Sequence, residues 1–137
     1  MNSGTCDLCL TAGGPLIWED AKRRVIYAEE AAYPGFCRVI WREHVAEMSD
    51  LSRQDRDHLM SLVWATESAL RELMHPQKIN LASFGNVVPH LHWHVIPRFV
   101  DDKHYPEPVW GTVQREGAPR IAPAIETLRL AIKERLV

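Results

Sequence analysis

Three histidines alternate with apolar residues in His90-Leu91-His92-Trp93-His94-Val95. Successive side chains of a β-strand point to opposite faces, so this spacing predicts His90, His92 and His94 on one face and Leu91, Trp93 and Val95 on the other. Same-face residues stand about 7 Å apart, too far for hydrogen bonds between rings and well spaced for successive groups of an extended ligand. Imidazole titrates near neutrality and ligates metals, so one face is expected to do chemistry and the other to pack. An open catalytic metal site of the His-x-His type would want a glutamate within a few residues, and Val95-Ile96-Pro97 follow instead. His58, His75 and His104 fall on a helix, its end and a loop, and no role is assigned to them.

Cysteine is the second reactive type. Cys6, Cys9 and Cys37 make an odd count in a chain without an export signal, which argues against a disulfide framework. Cys6-Asp7-Leu8-Cys9 offers two thiolates at zinc-binding spacing, but a closed site needs two more ligands. Cys37, inside the apolar run 36–41, reads as a small buried hydrophobe.

The elements that position these residues are legible from pattern. The Cys-x-x-Cys knuckle (1–14) runs through Gly13-Gly14-Pro15 into Leu16-Ile17-Trp18, which pairs with Arg24–Ala28 as a hairpin. Tyr33-Pro34-Gly35 is a turn signal before Phe36–Trp41, the candidate central strand. Ser52 caps a long helix with Asp55 at its third position, and His75-Pro76 ends it. Residues 78–84 read as a strand, with Gly85-Asn86 turning the chain into the histidine strand. Residues 101–119 form a proline-, glycine- and charge-rich loop carrying Trp110, and the segment from Pro123 reads as a C-terminal helix.

Length and composition bound the function. A chain of 137 residues holds one domain, so 1–137 is expected to be a single unit, with 101–137 as loop and helix extension. A net charge of −2 gives no basic footprint for nucleic acid or an anionic membrane, so any phosphate must be held locally. With no apolar run of about 20 residues and no basic-then-apolar N-terminus, a cytoplasmic location is expected.

His90-Leu91-His92-Trp93-His94-Val95-Ile96 matches His-φ-His-φ-His-φ-φ, where φ is apolar. This pattern resembles the histidine triad (HIT) superfamily of nucleotide hydrolases and transferases, and the resemblance runs from about Cys6 to Arg98. It implies an α+β fold with an antiparallel sheet of about five strands, one long helix across it, a C-terminal helix and a homodimer. It also implies a bacterial-type hydrolase or nucleotidyltransferase for an adenosine-type substrate, such as a dinucleoside polyphosphate or a nucleoside phosphoramidate. In that chemistry His92 attacks the α-phosphorus to give a nucleotidyl-histidine, and His94 contacts the phosphate or helps the leaving group depart. Asn80 is expected on the phosphates, and Asn86 as a turn residue that also contributes there. By the same resemblance, Cys6, Cys9, His44 and His90 would hold a structural zinc, with no metal needed for chemistry.

Gly35-Phe36 departs from the Gly-His of many HIT proteins, so the base pocket is poorly defined. Leu16, Trp18, Ile26 and Phe36 are its candidates as well as candidates for plain core. Glu29 lies near the family's ribose-binding acid, and Trp110 is placed to cover the site or to dock on a partner subunit. Two other readings stand beside the enzyme. One is a nucleotide-binding regulatory protein with little catalysis; the other, a zinc-knuckle nucleic-acid binder, lacks the basic surface it requires.

Overall fold

Period-2 and period-3.6 apolar patterns divide the chain much as the sequence predicts. The computed structural model describes residues 3–136 and runs α1 (Asp7–Leu10), β1 (Leu16–Glu19), β2 (Arg23–Tyr27), β3 (Cys37–Trp41), α2 (Arg53–Met74), β4 (Lys78–Ala82), β5 (His92–Arg98) and α3 (Ile125–Glu134). The strands form one antiparallel sheet in the order β1-β2-β3-β5-β4. This is the expected α+β architecture.

One face of the sheet packs. Val25, Val39, Ile79 and Val95 meet Leu59, Leu62, Val63 and Leu70 of α2 and Leu128 and Ile132 of α3 in a single apolar cluster. Each such side chain contributes about 1.5–3 kcal/mol on burial. Cys37 belongs to this cluster, and burial pushes its thiol up, so it is an inert hydrophobe as expected. The 22-residue α2 starts where the Ser52 hydroxyl accepts from the Asp55 N–H at 3.1 Å, and ends at His75, whose φ of 52° precedes Pro76. Among the described residues no helix is long and apolar enough to cross a membrane.

The other face carries His92, His94 and Arg98 of β5, with Arg38 and Ile40 of β3 across from them. Here the expectation for His90 needs correction. β5 begins at His92, because the chain bends at Val88-Pro89: the His90 N–H bonds back to the Val88 carbonyl at 2.8 Å and the Leu91 N–H goes to the Val45 carbonyl at 2.8 Å. His90 therefore leaves the strand's alternation.

The loop after β5 is pinned at its root. Asp102 accepts from Arg98 Nε at 2.8 Å and Nη2 at 3.0 Å, and from the backbone N–H groups of Phe99 at 3.0 Å and Tyr105 at 2.7 Å. Both side chains are buried, at 2% and 4% exposure. Burial acts to raise the Asp102 carboxyl, and the Arg98 guanidinium with the backbone donors overrides it, holding it at about 2. Tyr33 and His104 complete the cluster through a 2.6 Å bond between the Tyr33 hydroxyl and His104 Nδ1. Removing one member of a buried ion pair strands the other, so Asp102→Ala is expected to lose about 3–5 kcal/mol in urea denaturation. The double variant Arg98→Met/Asp102→Leu should lose clearly less; equal losses would show that the pair itself is not the anchor.

Candidate functional site

Between the histidine face and the segments that flank it lies a cleft of about 910 Å³. Asp7 and Leu8 of α1, with residues 11–14, form one wall; residues 84–88 and Trp110 form the other; Arg38, His92 and His94 form the floor. The glycines let the knuckle close on the sheet. Gly13 has φ +93°, a Cβ there would stand 2.8 Å from Leu8 Cδ2, and a side chain at Gly14 would run into the Tyr27 carbonyl.

His92 is oriented by its own neighbour. Its Nδ1 lies 2.6 Å from the His90 carbonyl, an acceptor only, so Nδ1 carries the proton and Nε2 keeps the lone pair. The ring is 8% exposed. Burial lowers its pKa, the His90 carbonyl acts against that, and the Arg38 charge lowers it further, so the ring is neutral at pH 7. The arrangement leaves the Nε2 lone pair available for nucleophilic attack.

His94 stands beside it, with ring centroids 5.0 Å apart and nearly perpendicular. Its Nδ1 is buried without a hydrogen-bond partner among the described residues. Burial first, then the His92 and Arg38 charges, depress its pKa to about 4. Phe36 meets the His94 ring edge-on at 5.6 Å, and Trp110 lies 5.1 Å from it. A neutral imidazole in this position can donate or accept one hydrogen bond to a bound phosphate, and at pH 7 it is not a stored acid.

A second group of side chains converges behind this floor. The ligand atoms of Cys6, Cys9, His44 and His90 all lie within 4.8 Å of one another. His90 Nδ1 is 3.4 Å from each sulfur and 3.3 Å from His44 Nδ1, and Cys9 Sγ is 3.4 Å from His44 Nδ1. His90 Nε2 lies 2.5 Å from the Trp41 carbonyl, which accepts a hydrogen bond from the Nε2–H and leaves Nδ1 free to ligate. On the far side Arg24 braces α1 by donating to the carbonyls of Leu8, Thr11 and Ala12.

The HIT domain model matches residues 13–101, most of the chain. The protein belongs to the HIT family. Among solved structures it resembles a histidine triad protein from Bradyrhizobium japonicum, with 28% identity and a TM-score of 0.73 over 93% of this chain and 94% of that one. It also resembles a HIT protein from Sinorhizobium meliloti, with 26% identity and a TM-score of 0.72 over 98% and 100%. A zinc-bound histidine triad family protein from Mycobacterium smegmatis shares the fold at 21% identity, with a TM-score of 0.65 over 98% and 95%. No curated protein matches the chain.

Within this HIT site the expected residues divide. His92, His94, Asn86, Glu29 and Trp110 line the cleft. Asn80 does not. It shares the histidine face of the sheet, opposite Ile96, but its Oδ1 accepts from Arg98 Nη1 at 2.8 Å, and the buried guanidinium holds it away from the cleft. The base-pocket candidates Leu16, Trp18, Ile26 and Phe36 are not among the lining residues either; Trp18 packs against the core, while Ile26 and Phe36 are buried. Arg38, Leu8 and Phe84 are lining residues that sequence reasoning missed. A signal for Arg38 was present: one charge within the apolar run 36–41 must face away from the core.

His94 gives a testable pH dependence. Its folded pKa of about 4 lies below the ordinary histidine value of about 6.5, so the unfolded chain binds this proton more readily. Stability should rise with pH from about 4 to 6.5 and level off above. Denaturation at several pH values should show His94→Asn reducing this slope by about 1.4 kcal/mol per pH unit, one proton's worth; an unchanged slope would contradict it.

Proposed function

We propose that this HIT protein is a nucleotide phosphohydrolase or nucleotidyltransferase that works through a covalent nucleotidyl-His92. The observation that carries the reading is the 2.6 Å contact of His92 Nδ1 with the His90 carbonyl, which dedicates Nε2 to attack. Nε2 donates its lone pair to the α-phosphorus, an N–P bond forms, and the bond to the leaving group breaks with its electron pair. The leaving group takes its proton from water. His94 holds a phosphate or bridging oxygen as charge builds there, and Asn86, on the cleft wall, is better placed than Asn80 to supply a neutral donor. Water or another acceptor then displaces His92 from phosphorus and restores the neutral ring.

The substrate class proposed is an adenosine-type nucleotide in which the α-phosphate carries a good leaving group, a dinucleoside polyphosphate or a nucleoside phosphoramidate. Glu29, exposed on the cleft wall, is placed to meet ribose hydroxyls. In keeping with the family, the reading includes a homodimer.

We also propose a structural zinc at Cys6, Cys9, His44 and His90. Zn–S bonds of about 2.3 Å and Zn–N bonds of about 2.0–2.1 Å around a tetrahedral centre require N–S edges near 3.5 Å and an N–N edge near 3.3 Å. The measured separations of 3.4 Å and 3.3 Å fit. Four protein ligands leave no open position, so the ion would supply a tie between α1 and the bend before β5, and the phosphate chemistry would belong to the histidines. The zinc-bound M. smegmatis relative supports this reading.

Two experiments test these proposals. His92→Asn should lower turnover of diadenosine polyphosphates and adenosine phosphoramidates by about 10³-fold or more. Mass spectrometry after an alkaline denaturing quench, in which an N–P bond survives, should find the nucleotidyl adduct on His92 of the wild type and none on the variant. Wild-type turnover without any adduct would overturn the covalent route, and nucleotide binding without turnover would favour the regulatory reading. Elemental analysis of untreated protein should find one zinc per chain, lost in Cys9→Ser with a melting temperature several degrees lower; metal-free wild type with the same melting temperature would overturn the zinc.

A further inference from the structure

Arg38 is the one lysine or arginine among the residues that line the cleft. It is half-buried on β3, and no ion pair or hydrogen bond engages its guanidinium among the described residues; its contact is the Phe36 ring face, 5.4 Å from the guanidinium carbon. Other arginines in similar surroundings are satisfied. Arg24 donates to three carbonyls, and Arg98 pairs with Asp102 and donates to Asn80 and the Glu107 carbonyl. Asp7 and Glu29 line the same cleft and form no ion pair with Arg38. A guanidinium presents five donors and cannot shed its charge, so one left unpaired on the floor of a binding cleft is matched by an anion that arrives with the ligand.

The register says which anion. Arg38 stands across from His94, whereas Ile40 stands across from His92. The arginine is therefore set back from the nucleophile by one same-face step, about 7 Å along the strand. Its guanidinium lies over Phe36, on the side of Arg38 away from Ile40. The phosphorus under attack must come within about 3–3.5 Å of His92 Nε2. A cation displaced from it by a further step is matched to a different group of the same molecule.

We propose that Arg38 binds a second anionic group of the substrate, a phosphate other than the one His92 attacks, and thereby selects nucleotides with at least two phosphates over monophosphates. The proposal rests on the nucleotide reading of the cleft given above and, within it, favours the dinucleoside polyphosphate over the single-phosphate phosphoramidate. The second phosphate has two possible sources, the phosphate chain itself or a phosphate ester on the ribose, and both present the same chemistry to a guanidinium.

The test is calorimetric binding of AMP, ADP and adenosine 3′,5′-bisphosphate to the full chain. It is made on a His92→Asn background so that no ligand turns over, with Arg38 intact or replaced in Arg38→Leu and Arg38→Gln, and melting curves confirm that each variant folds. The parent should bind at least one of the two-phosphate ligands about tenfold or more tightly than AMP. Arg38→Leu and Arg38→Gln should abolish that advantage while changing AMP binding by less than about twofold, and Arg38→Lys should restore part of it. Loss confined to ADP places the second phosphate on the chain, and loss confined to the bisphosphate places it on the ribose. Equal weakening of all three ligands, or no weakening of any, would overturn the role of Arg38 while leaving the nucleotide site intact. A parent that binds none of the three would overturn the nucleotide reading and this proposal together.

Discussion

The His90 carbonyl accepts the Nδ1 proton of His92 at 2.6 Å, and the rest of the site depends on that contact. An imidazole has two nitrogens of nearly equal basicity, and a fixed acceptor on one decides which of them keeps a lone pair. Fixing the acceptor requires fixing His90. Its ring is held at both ends, Nε2 at the Trp41 carbonyl of β3 and Nδ1 among Cys6, Cys9 and His44, while its N–H closes the bend onto Val88. One residue thus joins the Cys/His cluster to His92 through its backbone.

The cleft is enclosed from two directions by elements anchored independently. On one side α1 is held against the sheet by the cysteines and by Arg24, so that Leu8, between the two cysteines in sequence, is also a wall of the cleft. On the other, the buried Arg98–Asp102 pair at the exit of β5 turns the chain back, and Trp110 comes to lie over Phe84 and His94 at 4.9 Å and 5.1 Å. Both walls reduce the exposure of the two imidazoles, and that desolvation keeps them neutral. Packing of the opposite sheet face against α2 and α3 leaves the histidine face free for this use.

Elements governed by local pattern were readable from the chain. The Ser52 cap, the stop at His75-Pro76 and the β-branched and aromatic run of β3 each act within a few residues, and all appear where expected. The triad and the convergence of four metal-type ligands were equally legible, through the family resemblance. What depended on partners distant in sequence was not. His90 lies off the strand because the Leu91 N–H finds Val45, 46 residues earlier. Asn80 is turned from the cleft by Arg98, 18 residues later, a competition for one amide oxygen that no spacing rule expresses. That no ion pair or hydrogen bond among the described residues engages Arg38 is likewise a matter of which side chains the fold brings near it, and no spacing rule expresses it.

The tautomer of His92 is the most direct test of this account. Long-range proton–nitrogen correlation spectra of the ¹⁵N-histidine-labelled protein at pH 7, assigned with His92→Asn, report the protonation of each ring nitrogen. A neutral ring protonated at Nδ1, with Nε2 showing the shift of an unprotonated nitrogen, is expected. A His92 ring protonated at Nε2, or charged at that pH, would contradict it.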